Sequence, residues 1–322
     1  MRRLRARTPS DTNPVDLVSS IGSVTLPNPV MTASGTAGHG DELGRYLDLG
    51  ALGAMVVKSL AAEPWAGNPA PRVHETAAGM INSVGLAGPG VEAWVADELP
   101  VLLSAGARVV ASIWGRTVDD YERAASMLAG VSGIIAVEVN LSCPNLGASH
   151  QIFAHDPVAA AEAIAATRTC GRPLWAKLSP NTDRLVSVAE SVIQAGAEAV
   201  TLVNTVMGMV IDTEARWPLL GGGGGGVSGP AIHPVAVRAV YDCRSALPDV
   251  PIIGVGGVGS GRDAVELMMA GADAIQVGTA SFADPRSAER VLDELDRWCR
   301  SHGVAAVRDL RAAAHEHGAT NE

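Results

Sequence analysis

Aromatic residues are scarce in this chain, and its cysteines are few and widely spaced. Phe, Trp and Tyr together make up 3% of the 322 residues, whereas hydrophobic residues make up 47%. The core must therefore be built from Val, Ile, Leu and Ala, as in barrels of parallel strands. The four cysteines, Cys143, Cys170, Cys243 and Cys299, include no C-x-x-C pair. We therefore expect no metal or iron–sulfur site within the chain and no disulfide framework, and predict a reducing, cytoplasmic location.

The sequence also lacks a basic surface and a long hydrophobic run. Its formal net charge is −10, and no basic stripe suits a nucleic-acid partner. No window approaches ~18 uninterrupted apolar residues, so we expect no membrane span. Four arginines lie within residues 1–7, but no apolar segment follows them as in a signal peptide. We predict a flexible tail over residues 1–14 and a single domain over residues 15–322.

Eight apolar, β-branched segments recur along the chain, and a segment with helical spacing follows each. Most are nearly continuous in apolar residues rather than alternating, which is typical of strands buried on both faces. Eight β–α repeats predict an α/β protein with a (β/α)8 TIM barrel. An open doubly wound sheet is the alternative, disfavoured because no G-x-G-x-x-G follows the first strand. The predicted strands span residues 29–34, 54–60, 108–114, 134–141, 173–179, 199–205, 251–257 and 274–280.

A short β-hairpin is predicted ahead of the first barrel strand. Residues 15–18 and 23–26 flank a turn at Ile21 and Gly22. Such a hairpin could cap the bottom of the barrel.

Two of the predicted helices, residues 156–169 and 183–195, show clear helical spacing. Asp156 and Asp183 stand at their first positions. A carboxylate there stabilises a helix as an N-cap or as a first-turn acid.

Two long Gly- and Pro-rich segments, residues 61–90 and 206–230, follow the second and sixth predicted strands. Loops that follow barrel strands lie at the carboxyl-terminal face, where the active sites of these barrels form. We therefore expect both segments to be functional loops. The second contains six consecutive glycines, residues 221–226, which the sequence alone explains most simply as a flexible loop.

Polar residues or glycines stand at the ends of six of the predicted strands. Taken singly, a cysteine there is most simply a small core residue, an asparagine a turn cap, and a lysine a surface charge. Polar groups at the ends of apolar strands are costly unless they are satisfied, so their recurrence on one face predicts a shared site. The residues are Lys58, Asn140, Cys143, Asn145, Lys177, Asn204, Thr205, Gly256, Gly257, Gly278 and Thr279.

The glycines after the seventh and eighth strands predict a phosphate site. Gly256 with Gly257, and Gly278 with Thr279, occupy the common phosphate-binding position of TIM barrels. Exposed backbone N–H groups and a helix N-terminus can hold a phosphate without arginine. This pattern does not by itself distinguish a flavin phosphate from a sugar phosphate.

Five sequence motifs together resemble class 1 dihydroorotate dehydrogenases, over residues 15 to about 300. The segments 203–208 and 227–234 are most similar to the catalytic FMN subunit of the NAD-linked class 1B subclass. The membrane-bound quinone-using class has Ser in place of Cys143 and an N-terminal extension that is not evident here. The motifs are Gly-Asn-Pro-Ala-Pro-Arg (67–72), Met-Ile-Asn-Ser-Val-Gly-Leu (80–86), Asn-Leu-Ser-Cys-Pro-Asn (140–145), Ala-Lys-Leu-Ser-Pro (176–180) and Val-Gly-Thr-Ala (277–280).

The resemblance implies a role for each matching residue. The cofactor would be FMN, contacted by Ser34, Lys58, Ser59, Ser112, Asn140, Lys177, Val203, Gly229, Gly256, Gly257, Gly278 and Thr279. Dihydroorotate would be bound by Lys58, Asn82, Gly85, Leu86, Asn140, Asn145, Asn204 and Thr205. Ser112 is a departure from the pattern, because the NAD-linked subclass often has Asn there.

The implied reaction is the oxidation of dihydroorotate to orotate in pyrimidine biosynthesis. Cys143 would remove the proton from C5, while FMN N5 accepts the hydride from C6. Lys58 would lie between flavin and substrate and face the substrate carboxylate. Lys177 would lie beside the flavin N1 and C2 carbonyl, where a fixed ammonium stabilises the charge that develops on reduction.

The resemblance further implies a homodimer and a separate electron-transfer subunit that carries FAD and an iron–sulfur cluster. Three alternatives remain open at this stage. The first is a related flavin enzyme for another dihydropyrimidine or another carboxylated ring. The second is a barrel isomerase or lyase for a sugar phosphate, although such enzymes usually place carboxylates or a Schiff-base lysine at the strand ends. The third is a protein that holds flavin without turnover.

Overall fold

The computed structural model describes residues 14–142 and 152–316. Eight parallel strands form one sheet. A parallel bridge between Met31 and Ala54 joins the two ends of this sheet and closes the barrel. The predicted (β/α)8 fold is therefore confirmed. The strands are β1 Val30–Thr32, β2 Met55–Val56, β3 Val109–Ile113, β4 Ile134–Asn140, β5 Leu174–Lys177, β6 Ala199–Leu202, β7 Ile252–Val255 and β8 Ala274–Val277. Their spatial order in the sheet is β1-β8-β7-β6-β5-β4-β3-β2.

Helices cover the outside of the barrel between successive strands. Asp156 caps one of them, since its carboxylate accepts from the Val158 N–H, as the sequence predicted. The prediction for Asp183 was wrong, because that helix begins at Leu185 and Arg184 occupies the N-cap. The helices are Val91–Ala93, Trp94–Glu98 (a π turn), Leu99–Ser104, Val118–Leu128, Pro157–Thr167, Leu185–Gln194, His233–Ala246, Gly261–Ala270, Ala280–Ala283 and Ser287–His302, with 3-10 turns at Glu42–Arg45, Leu49–Ala51, Phe153–His155, Arg168–Cys170, Pro230–Ile232 and Val307–Leu310. Within the described ranges, none of the helices has the length and hydrophobicity needed to cross a membrane.

The N-terminal hairpin closes the bottom of the barrel. It pairs Ser19–Ile21 with Val24–Leu26, and Ile21 and Leu26 are fully buried among the inward-facing residues of the barrel strands. Its first strand begins later than predicted, because Asp16 instead bridges to Ala306 near the C-terminus. The predicted tail, residues 1–14, lies outside the described residues except for Pro14.

A second sheet spans the mouth of the barrel, and its strand Gly225–Ser228 includes the last two residues of the glycine run, which were predicted to lie in a flexible loop. Four antiparallel strands lie in the order Val206–Gly208, Gly225–Ser228, Gly79–Asn82 and Val73–Thr76. The two long segments after β2 and β6 thus pair with each other at the carboxyl-terminal face. A further short pair, Ile211–Asp212 with Trp217–Pro218, extends from the same region.

Candidate active site

A cavity of about 410 Å³ lies at the carboxyl-terminal end of the barrel, beneath the four-stranded sheet. The structure brings sixteen of the predicted site residues into its wall. They come from the ends of the barrel strands, from both long segments and from the loop after β8. These residues are Ser34, Lys58, Ser59, Asn82, Gly85, Leu86, Asn140, Lys177, Val203, Asn204, Thr205, Gly229, Gly256, Gly257, Gly278 and Thr279.

Of the other three predicted residues, the structure describes only one. Ser112 on β3 is fully buried behind the cavity wall, where its hydroxyl lies 2.9 Å from Ser59 Oγ. Cys143 and Asn145 lie outside the described residues. The described chain on both sides of that gap reaches the cavity, since Ser142 and Ile152 line it.

Hydroxyl and amide groups form a connected network along one side of the cavity. Ser34 Oγ lies 3.1 Å from Ser59 Oγ and 3.2 Å from Ser112 Oγ. The Asn140 amide donates to Ser59 Oγ at 3.2 Å, and its oxygen accepts from the Asn204 amide at 3.2 Å. Each partner restricts the rotation of the next, so the Asn140 and Asn204 amides present fixed donor and acceptor groups to the cavity.

Two lysines bring positive charge to the cavity. Lys58 donates to the Ala87 carbonyl, and burial together with the nearby Arg72 guanidinium lowers the pKa of its ammonium. An anionic ligand group would therefore be favourable beside Lys58. Lys177 at the end of β5 is 5% exposed, and its Nζ lies 3.6 Å from Glu138 Oε1.

Glycines shape the end of the cavity where a phosphate was predicted. Gly229, Gly256 and Gly257 have φ angles of +95°, +136° and +69°, which side chains other than glycine rarely adopt. A Cβ atom at Gly257 would also lie 2.9 Å from the Gly229 carbonyl and 2.6 Å from His233 Cβ. The backbone here comes close together without side chains, which suits a ligand phosphate held by main-chain groups.

Comparison with known proteins identifies the family of this chain. The family model described as "Dihydroorotate dehydrogenase" matches residues 16–298. The chain belongs to the dihydroorotate dehydrogenase family. The matched region contains all eight barrel strands and every residue that lines the cavity.

Similar proteins cover nearly the whole chain. It is 48% identical over 300 residues to a dihydroorotate dehydrogenase B (NAD(+)) catalytic subunit of Desulforudis audaxviator, which spans 93% of this chain and 97% of that protein. It is 43% identical over 299 residues to the protein of the same name from Geobacter sp. strain M21, over 92% of this chain and 98% of that protein. A third, from Alkaliphilus metalliredigens, is 43% identical over 93% of this chain and 99% of that protein.

The last three residues of the six-glycine run, Gly224, Gly225 and Gly226, line the cavity, which was not predicted from the sequence. Gly226 pairs with Met207 and with Asn82 on its two neighbouring strands, and Gly225 pairs with Gly208. A Cβ atom at Gly225 would lie 2.5 Å from the Asn82 carbonyl, and one at Gly226 would lie 2.6 Å from Thr205 Cβ. The absence of side chains therefore lets this strand approach the predicted substrate residues.

We expect Gly226→Ala to weaken substrate binding without loss of cofactor. The added methyl group displaces Thr205, so KM for dihydroorotate should rise by about tenfold, equivalent to ~1.4 kcal/mol. Gly223→Ala is the control within the same run: its φ of +80° adds a conformational penalty, but no atom lies within 4 Å of its Cβ position. Steady-state kinetics that show equal KM values for the two variants would contradict this role of Gly226.

Other cavity residues were given no role in the sequence-based prediction of the site. Met80, Ser83, Val84, Ser228, Ile232 and Phe282 line the cavity as well. Glu138 was also missed, although a charged residue inside the apolar strand Ile134–Asn140 was a visible anomaly. In residues 14–142 and 152–316, no group of three or more His, Cys, Asp or Glu side chains is arranged to hold a metal ion.

Proposed function

We propose that this protein oxidises (S)-dihydroorotate to orotate in de novo pyrimidine biosynthesis, with FMN and substrate bound together in the barrel cavity. One observation carries the proposal. A single cavity is lined at one end by the glycines of the predicted phosphate site and elsewhere by two lysines and a set of amides. That combination suits a phosphorylated flavin beside a small carboxylated ring that carries N–H and C=O groups.

The residues present fit FMN at two points. Gly229, Gly256 and Gly257 leave room for backbone contacts to its phosphate. Lys177 brings an ammonium to the cavity, where it would face the N1 and C2 carbonyl edge of the ring. When bound, FMN supplies the hydride acceptor for C6 of the substrate.

The substrate would bind between Lys58 and the amide network. Lys58 would pair with the carboxylate of dihydroorotate, assisted by the backbone N–H groups of Gly85 and Leu86, which line the cavity. Asn82, Asn140, Asn145 and Asn204, with Thr205, would bind the pyrimidine ring. These contacts would hold the ring still and exclude water while C5 and C6 react.

We assign to Cys143 the removal of the C5 proton. Ser142, the residue before it, lines the cavity, and its N–H donates to Asn140 Oδ1 at 3.2 Å. The other cysteines, Cys170, Cys243 and Cys299, are buried. Burial raises the pKa of Cys243 to about 12 and that of Cys299 to about 11, so these thiols are poor bases at neutral pH.

The electrons would leave this chain through a partner. The relatives described above are named as catalytic subunits of an NAD(+) enzyme. By the same resemblance, we propose that a separate subunit carrying FAD and an iron–sulfur cluster passes the electrons to NAD+. We further propose that the catalytic chain is a cytoplasmic homodimer.

Substrate preference tests the proposal against the alternative of another dihydropyrimidine. We expect the purified protein with an artificial electron acceptor to form orotate from dihydroorotate, measured by its ultraviolet absorbance. Dihydrouracil lacks the carboxylate that Lys58 would bind, so its oxidation should be slower by orders of magnitude. Equal or faster oxidation of dihydrouracil would contradict the proposed substrate.

A further inference from the structure

A polar layer lies inside the barrel directly beneath the cavity. Side chains two residues apart on a strand point to the same face of the sheet. The lower interior of the barrel is apolar on β4, β5, β6 and β8, with Ala136, Trp175, Ala199 and Ala274. The next inward positions on the same strands are Glu138, Lys177, Thr201 and Gln276, and all four side chains are buried. The interior therefore changes from apolar to polar one layer below the ligand.

Glu138 brings a carboxylate into this layer, and it is 0% exposed. Its Oε1 lies 3.6 Å from Lys177 Nζ. Its Oε2 accepts from Gln276 Nε2 at 2.7 Å and from Thr201 Oγ1 at 3.3 Å. Three barrel strands thus fix the position of one carboxylate against one ammonium.

Stability alone does not explain a buried ion pair of this kind. Removing two charges from water costs free energy that their attraction often does not recover, and apolar residues of similar size frequently serve as well. Lys177 lines the cavity, whereas Glu138 lies behind it. The carboxylate is therefore placed to act on a ligand through the lysine rather than by contact.

We propose that Glu138 is a positioning residue that sets the reduction potential of bound FMN through Lys177. This inference rests on the proposed function, in which the Lys177 ammonium faces the N1 and C2 carbonyl edge of the flavin. An ammonium there stabilises the negative charge of the reduced ring. Glu138 holds that ammonium in place and offsets part of its positive potential. The bound flavin thereby releases its electrons to the next acceptor more readily than Lys177 alone would permit.

Glu138→Gln tests this proposal, because it keeps the size of the side chain and removes its charge. We expect the midpoint potential of bound FMN to rise by at least about 30 mV at pH 7, a tenfold change in the equilibrium for a two-electron couple. The measurement is an anaerobic reductive titration against a reference dye. Asp273→Asn is the control, since the Asp273 side chain is only 12% exposed and lies 2.8 Å from Arg244, but at the amino-terminal end of β8. Its potential should equal that of the wild type.

Glu138→Asp keeps the test decisive if the Gln variant fails to fold or to retain FMN. Its carboxylate is withdrawn from Lys177 by about one carbon–carbon bond, so the potential should rise by less than in the Gln variant. Flavin-containing variants whose potentials equal or fall below the wild-type value would overturn the proposal. A wild-type protein that binds no FMN would instead refute the proposed function. Wild-type flavin that is reduced by dihydroorotate, together with unshifted variants, would refute only the role of Glu138.

Discussion

Replacement of Cys143 by alanine is expected to lower the turnover of dihydroorotate by roughly 10²–10⁴-fold, the usual contribution of a positioned acid/base group. The alanine variant can no longer remove the C5 proton, but the residues proposed to hold the flavin are unchanged. FMN should therefore remain bound at its wild-type occupancy. Rapid-mixing measurements of flavin reduction separate the two effects, because they monitor the chemical step in protein that is already loaded with cofactor.

The assignment of Cys143 as the base also predicts how the rate of flavin reduction depends on pH, and another cysteine provides a control variant. An unperturbed thiol has a pKa of ~8.5, so the thiolate fraction and the rate of flavin reduction should both rise toward alkaline pH. Cys170→Ala, which removes a buried thiol at the end of the turn Arg168–Cys170, should keep both the rate and this profile. A Cys143→Ala protein with wild-type turnover would remove Cys143 from the mechanism.

The second large effect is expected at the glycines of the proposed phosphate site. Gly257→Ala places a methyl group 2.6 Å from His233 Cβ and 2.9 Å from the Gly229 carbonyl, at a φ of +69°. A positive φ alone costs an L residue about 1–2 kcal/mol, and the clash displaces the backbone that would contact the phosphate. We expect FMN affinity to fall by about a hundredfold, or ~2.8 kcal/mol, so the protein should purify largely colourless.

The Gly130→Ala variant distinguishes loss of the proposed phosphate site from a general effect of backbone strain. Gly130 has a φ of +74°, but no atom lies within 4 Å of its Cβ position. It should therefore carry a similar conformational penalty and still bind FMN normally in a fluorescence titration of the apoprotein. Comparable FMN affinities for the Gly257 and Gly130 variants would argue against a phosphate at Gly257.

The barrel was predictable because its strands are buried on both faces. Segments such as 134–141 and 274–280, in which most residues are apolar, have few other stable structures in a chain of this length. The cavity was predictable for a related reason. Lys58 and Lys177 interrupt or end apolar strands, and the carboxyl ends of parallel strands converge on one face of a barrel. The roles of individual residues came instead from the family resemblance.

The sheet over the cavity was not predictable from local pattern. Its strand Gly225–Ser228 begins with two glycines, which have low β-propensity. It pairs with Gly79–Asn82, in which Asn82 lies 144 residues before Gly226. Such pairing depends on the barrel having already brought the two long segments together. The ion pair of Glu138 with Lys177 was missed similarly, since only the closed barrel places β5, β6 and β8 around the carboxylate on β4.

The most direct test of dihydroorotate oxidation by bound FMN is the visible spectrum of the purified protein before and after anaerobic addition of dihydroorotate. We expect a yellow protein with the absorbance bands of an oxidised flavin. These bands should bleach on addition of substrate, with one orotate formed for each flavin reduced. A protein that takes up no FMN, or a bound flavin whose spectrum is unchanged at saturating dihydroorotate, would contradict the proposed function.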